Sequence, residues 1–257
     1  MIEPPFFDPI VRRPTVAAVP QGRHRRPVVG VLGALAVVVA LPGIAGAKPA
    51  PRRVPGPPPA IVASVTVPSL AVFPAPGAAT PSQALANPNR YGGQVVLLVS
   101  AIRPDGWVQV LLPVRPNDST GWVRGSDVVL SNDPYRISLV LHLHQITVLN
   151  GKKLVLRSPV GIGKANTPTP GGVYYLTQLF KTPDPNGVYG PYAYSLSGYS
   201  NVLTTFEGGD AIIGLHGTNR PDLLGHDVSS GCIRLSNADL TTLAHLLPLG
   251  TPVTIVA

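Results

Sequence analysis

The chain contains one cysteine, Cys232, set between Ser229-Ser230-Gly231 and Ile233-Arg234-Leu235. A lone thiol rules out an intrachain disulfide and a cysteine-cluster metal site. It is either a small buried hydrophobe or a nucleophile. The second reading requires a base to take the thiol proton. His216 is the natural candidate, because Ala211-Ile212-Ile213-Gly214-Leu215 reads as a strand that delivers it at its end. Twelve residues separate His216 from Ser229. Cys232 follows a turn and opens an apolar stretch, where backbone N–H groups can point at a reacting carbonyl. A thiol and an imidazole at two strand ends form a set for acyl transfer.

A β-rich domain must hold those two ends. From Tyr135 onward, Ile137, Leu139, Leu141 and Leu143 alternate along one face of a strand. Asn150-Gly151 signals a type I′ hairpin before Lys153-Leu154-Val155-Leu156. Thr169-Pro170-Gly171-Gly172-Val173-Tyr174-Tyr175 reads as turn then strand. Ser236 or Asn237 can cap one short helix, with Leu240, Leu243, Ala244 and Leu247 at core spacing. Pro248 and Gly250 end it, and Thr251 to Val256 makes a last strand. His142 and His144 share the strand face, but no third ligand follows nearby, so no metal is expected. Arg234 lies two residues past Cys232 and shares its face. It favours the thiolate, binds a substrate carboxylate, or makes a structural ion pair.

The N-terminal half is organised differently. Residues 1–26 are polar and end in Arg23-His24-Arg25-Arg26, and residues 28–47 carry no charge. Twenty apolar residues can span a bilayer, with the arginines inside. Ala45-Gly46-Ala47 also resembles a signal-peptidase site, so 27–47 is either a retained anchor or a cleaved signal. Both readings make 1–26 a cytoplasmic leader and place the rest outside the cytoplasm, on the cell-wall side. Residues 48–60 are a proline-rich spacer. Residues 61–132 then give short β patterns divided by turns such as Pro76-Gly77 and Arg103-Pro104-Asp105-Gly106. Gly106-Trp107-Val108-Gln109-Val110 and Gly121-Trp122-Val123 resemble a bacterial SH3-like module, with both tryptophans expected in its core.

Composition limits the alternatives. With 31 prolines and 27 glycines in 257 residues, long helices and coiled coils are excluded. The net charge of +8 suggests nucleic acid until it is divided. Eight of the twenty Lys/Arg but only two of the twelve Asp/Glu lie in residues 1–58. The remainder is near neutral, so no nucleic-acid partner is expected.

Residues 133–257 resemble the L,D-transpeptidase catalytic (YkuD-like) family. The family carries a His-Gly and, about a dozen residues later, Ser/Thr-His-Gly-Cys followed by Ile/Val-Arg-Leu. His216-Gly217 and Ser229-Ser230-Gly231-Cys232-Ile233-Arg234-Leu235 match, as do Gly161 to Lys164 and Thr169-Pro170-x-Gly172. Ser230 departs, standing where the family usually has a second histidine. The resemblance implies a mostly β chain, a small SH3-like barrel followed by a β-rich catalytic domain with one or two short helices. It implies a cysteine acyltransferase that cross-links peptidoglycan 3→3, without a cofactor. Cys232 would attack the stem peptide, His216 would carry the proton, and the Gly231 and Cys232 N–H groups, with Ser230 shaping the turn, would bind the oxyanion. Gly217, Thr218 and Ser229 are weaker candidates for orienting the base, and Tyr192 and Tyr194 for a lid over the donor. Carbapenems are expected inhibitors. A water acceptor, making an L,D-carboxypeptidase, and a decayed wall-binding protein are the alternatives. The catalytic half is expected to fold and acylate without the first module.

Overall fold

The computed structural model describes residues 8–10 and 58–257. The uncharged 28–47 stretch and nearly all of the leader and spacer lie outside the described residues. Among the described residues, no helix is long and apolar enough to cross a membrane. Asp8–Pro9 pairs with Lys181 and Phe180 of the C-terminal sheet.

The protein is mostly β, with a single α-helix among the described residues. Residues 60–133 form a five-stranded antiparallel sheet in the order Thr120–Arg124, Trp107–Leu111, Val96–Ile102, Ala60–Val65, Val128–Asp133. A hairpin, Ser69–Val72 with Gln83–Ala86, lies beside it. Alternation explains which side chains enter the core. Val108, Val110 and Val123 point inward with Leu70, Val72 and Leu97. Trp107 and Trp122 occupy the alternate positions and are only half-buried. Trp107 stacks edge-on against Phe73 at 5.1 Å, with Arg124 over both rings. The tryptophans are thus not the core that the sequence led one to expect.

The C-terminal sheet runs Lys153–Pro159, Gln145–Asn150, Tyr135–Val140, Pro252–Val256, Gly172–Lys181, Tyr192–Tyr199, Ile212–His216, Ile233–Arg234. The helix α1, Asn237–Leu246, buries Leu240, Leu243 and Ala244 against it. Ser236 is the cap, accepting from the Asp239 N–H at 3.1 Å. The buried Tyr194 hydroxyl donates to the Leu247 carbonyl and to the Leu243 carbonyl, which also accepts from the Leu247 N–H at the helix end. Tyr194 is therefore core, not lid. Two local expectations also change. Tyr135–Val140 gives way to a 3-10 turn at Leu141–Leu143, so His142 and His144 do not share a strand face. His142 instead contacts the Ala257 carbonyl and His144 contacts Asp227. In the hairpin, Asn150 pairs with Lys153 and only Gly151 has positive φ, so the turn is not type I′.

The two halves share a core. Tyr175 belongs to the C-terminal sheet, yet its ring is fully buried among the first module's side chains and its hydroxyl donates to Leu111 O. Tyr199 donates to Pro113 O, and Asn89 to Gln178. Cutting at residue 133 would expose Tyr175 and strand the buried Gln178. A chain of residues 133–257 is thus expected to be less stable by at least about 3 kcal/mol, the usual cost of losing an aromatic's packing. Thermal melting beside residues 58–257 measures this; equal midpoints would show the halves to be independent.

Candidate active site

His216 ends the strand Ile212–His216 and is buried. Its Nδ1 lies 2.7 Å from the Gly217 carbonyl, which can only accept, so Nδ1 carries the hydrogen. Nε2 is then the basic nitrogen. Burial holds the imidazole down at about 4; the Gly217 carbonyl opposes this and the Arg234 charge adds to it. His216 is therefore neutral at pH 7, ready to accept a proton. The sign of the stability effect follows. The folded state binds the proton less readily than the unfolded chain, so stability is full above pH 6.5 and falls as pH drops towards 4. About 3 kcal/mol should be lost across that window. Urea unfolding of wild type and His216→Gln checks it, because the variant should lack this component of the slope.

Cys232, the candidate nucleophile, is held by a short loop between Asp227–Ser229 and Ile233–Arg234. Ile233 and Arg234 pair in parallel with Leu215 and His216, which brings the two strand ends together. The Cys232 Sγ and the imidazole flank one point. A methyl on Gly214 would lie 3.5 Å from Sγ and 3.6 Å from His216 Cδ2. Burial pushes the thiol up from its ordinary value; the Gly214 N–H and Arg234 act the other way, and Glu207 adds to the rise. The resting pair is thus a neutral thiol beside a neutral imidazole. Cys232 nevertheless remains partly accessible.

Ser229 sets the loop's shape. Its buried hydroxyl donates to Cys232 O at 2.6 Å and accepts from the Gly231 N–H at 3.0 Å. Gly231 has φ 122, which favours glycine. Its N–H is already used, so it is not the oxyanion donor that the sequence reading expected. The Cys232 N–H has no acceptor among the described residues. Ser230 is exposed and makes no side-chain hydrogen bond there. The upstream motif wraps this loop: Lys164 N–H donates to Ser229 O, and Thr169 Oγ1 donates to Gly231 O at 2.9 Å while accepting from Gly163 N–H.

The remaining candidates divide. Thr218 is buried, but its hydroxyl accepts from Arg220 N–H and its own N–H donates to Asn237 Oδ1, so it braces the turn after the base. The Gly217 carbonyl is what orients the imidazole. Gly217 is also needed for space, since a Cβ there would meet Asn237 and the Cα of Gly190. Arg234 is partly buried, forms no ion pair among the described residues, and leaves a buried Nε without a partner. Tyr192 packs on His245 of α1 at 6.0 Å and is not a lid. The ring that covers the base is Tyr189, 4.8 Å from His216, with its hydroxyl donating to Glu207. Sequence reading passed over Tyr189 and Glu207. The available signal was Gly190, whose close approach to Gly217 seats Tyr189 on the base. Among the described residues, no cluster of His, Cys, Asp and Glu could hold a metal.

The chain is similar in sequence to known proteins. The family model of the L,D-transpeptidase catalytic domain matches residues 134–255. YkuD of Bacillus licheniformis is 34% identical over 178 residues, 68% of this chain and 87% of that protein. YkuD of Bacillus subtilis is 32% identical over 151 residues, covering 56% and 84%. L,D-transpeptidase 3 from Mycobacterium tuberculosis, solved with a faropenem-derived adduct, aligns with 18% identity and a TM-score of 0.41, covering 63% of this chain and 91% of that one. On the family match and the B. licheniformis relative, this chain belongs to the YkuD L,D-transpeptidase catalytic-domain family.

Proposed function

We propose that the protein forms 3→3 cross-links in peptidoglycan through a Cys232 thioester. The observation that carries this is the placement of Cys232 Sγ and His216 about one point, with His216 neutral and its Nε2 free to accept. Sγ attacks the carbonyl carbon of the third stem residue while the thiol proton passes to Nε2. The oxyanion forms beside the Cys232 N–H, a donor type worth a few kcal/mol when preorganised (~3). The C–N bond breaks, Nε2 returns the proton to the leaving nitrogen, and the terminal D-Ala departs. The acceptor amine then attacks the thioester, gives its proton to Nε2, and releases Cys232, which takes that proton back.

Arg234 supports a stem-peptide substrate, because a buried, unpaired guanidinium nitrogen is costly until a carboxylate meets it. The intact Cys232–His216 pair argues against a decayed scaffold. Peptidoglycan lies outside the cytoplasmic membrane, so this reading requires export, for which the uncharged 28–47 stretch is the candidate signal or anchor. The five-stranded first module is read as SH3-like on its short antiparallel strands. Purified protein and disaccharide-tetrapeptide should give a dimer lacking one alanine by mass spectrometry. Tripeptide alone would mean that water is the acceptor, and unchanged substrate would overturn the proposal.

A further inference from the structure

Residues 200–211 join the strand Tyr192–Tyr199 to the strand Ile212–His216, so they lead directly into the base. The tip of this loop is a tight turn in which Phe206 and Gly209 exchange backbone hydrogen bonds, with Glu207 at φ 47. Glu207 accepts from the Tyr189 hydroxyl, and the Tyr189 ring packs on His216. The tip thus touches the base through one side chain.

The neck of the loop is held by the first module. Arg115 lies between the strands Trp107–Leu111 and Thr120–Arg124. Its guanidinium donates to Ser200 O at 2.8 Å, Leu203 O at 2.9 Å and Asp210 O at 3.2 Å. It also lies 4.8 Å from the Tyr199 ring centroid. Asn117 adds a bond from Nδ2 to Tyr199 O at 2.8 Å and accepts from Tyr199 N–H at 2.9 Å. Arg90 pairs with Asp210, but both side chains are half exposed, and such pairs contribute little. Arg115 is different in kind. Three carbonyl oxygens from both feet of the loop converge on one guanidinium, and those dipoles would repel one another without it. The planar guanidinium meets all three through its two terminal nitrogens.

We propose that Arg115 is a positioning residue for His216. The first module closes the neck of the 200–211 loop, and the closed loop holds Glu207 and Tyr189 against the imidazole in its reactive orientation. This rests on the acyl-transfer reading for what His216 does. The first module is then part of the catalytic apparatus, whatever else it binds.

Two readouts on the full chain test this: amide hydrogen exchange at residues 200–211, and the rate of Cys232 acylation by meropenem at saturation. Arg115→Ala should speed exchange in the loop and slow acylation, each by about tenfold, with little change in half-saturating meropenem. Exchange in Ala60–Val65 and Val96–Ile102 should stay as in wild type. Millimolar ethylguanidinium should restore part of the rate, which a general loss of stability would not allow. Glu207→Gln, at the exposed tip, should slow acylation by about threefold or more even if Arg115→Ala does not fold. The double variant should be little slower than the slower single variant, because neck and tip act through one loop. Unchanged exchange and acylation in Arg115→Ala, or deficits that simply multiply in the double variant, would overturn the proposal. If wild type is not acylated, the function proposed above fails, and loop exchange in Arg115→Ala alone decides this one.

Discussion

Meropenem or imipenem is expected to add one adduct per chain, on the peptide that contains Cys232, and Cys232→Ala should show none. The expectation follows from a thiol that is the chain's only one and that is partly accessible beside a neutral base. The strained β-lactam carbonyl takes the place of the stem-peptide carbonyl. Intact-mass measurement before and after incubation reads the result. An adduct that persists in Cys232→Ala would place the nucleophile elsewhere.

Replacing the base should have the second largest effect. His216→Ala is expected to slow acylation by about a hundredfold or more, because a neutral thiol raised by burial is left without a proton acceptor. Ser230→Ala should stay within about threefold, since Ser230 is exposed and makes no side-chain hydrogen bond among the described residues. That outcome would show that the histidine usual to the family at this position is not needed for proton transfer in this chain. The pH profile separates the same alternatives. With His216 near 4 and the thiol raised, the reactive neutral pair persists, and the wild-type rate should be flat between about pH 5.5 and 8. It should fall only in acid, as His216 takes up a proton. A rate that climbs steadily through that range would indicate pre-formed thiolate, and a Ser230→Ala variant as slow as His216→Ala would give Ser230 a part in proton transfer.

The positions of Cys232 and His216 were legible because strand ends and turns leave local signals. Five apolar residues ending in His216, and a Ser-x-Gly turn before Cys232, were enough to place both. α1 was legible for the same reason, its apolar spacing matching the buried Leu240, Leu243 and Ala244. What failed depends on contacts between distant segments. The Gly231 N–H looked free until the Ser229 hydroxyl proved to occupy it. Tyr192 and Tyr194 were the tyrosines in a suggestive run, but strand alternation sends Tyr194 into the core beneath α1 and Tyr192 onto His245. Tyr189 reaches the base because Gly190 and Gly217 nearly touch, a packing fact with no periodic signature. Nothing at the boundary drawn after residue 132 signalled that Tyr175, forty-odd residues later, completes the first module's core.

The central claim is that Cys232 carries the stem peptide as a thioester. Intact-mass measurement of wild type mixed with a disaccharide-tetrapeptide whose acceptor amine is acetylated tests it most directly. The acceptor is then blocked, and the acyl-enzyme has only water to leave by. The expected result is a transient species heavier by the donor minus one alanine, absent in Cys232→Ala and discharged by hydroxylamine. Release of alanine with no covalent species on Cys232, or with equal speed from Cys232→Ala, would contradict it.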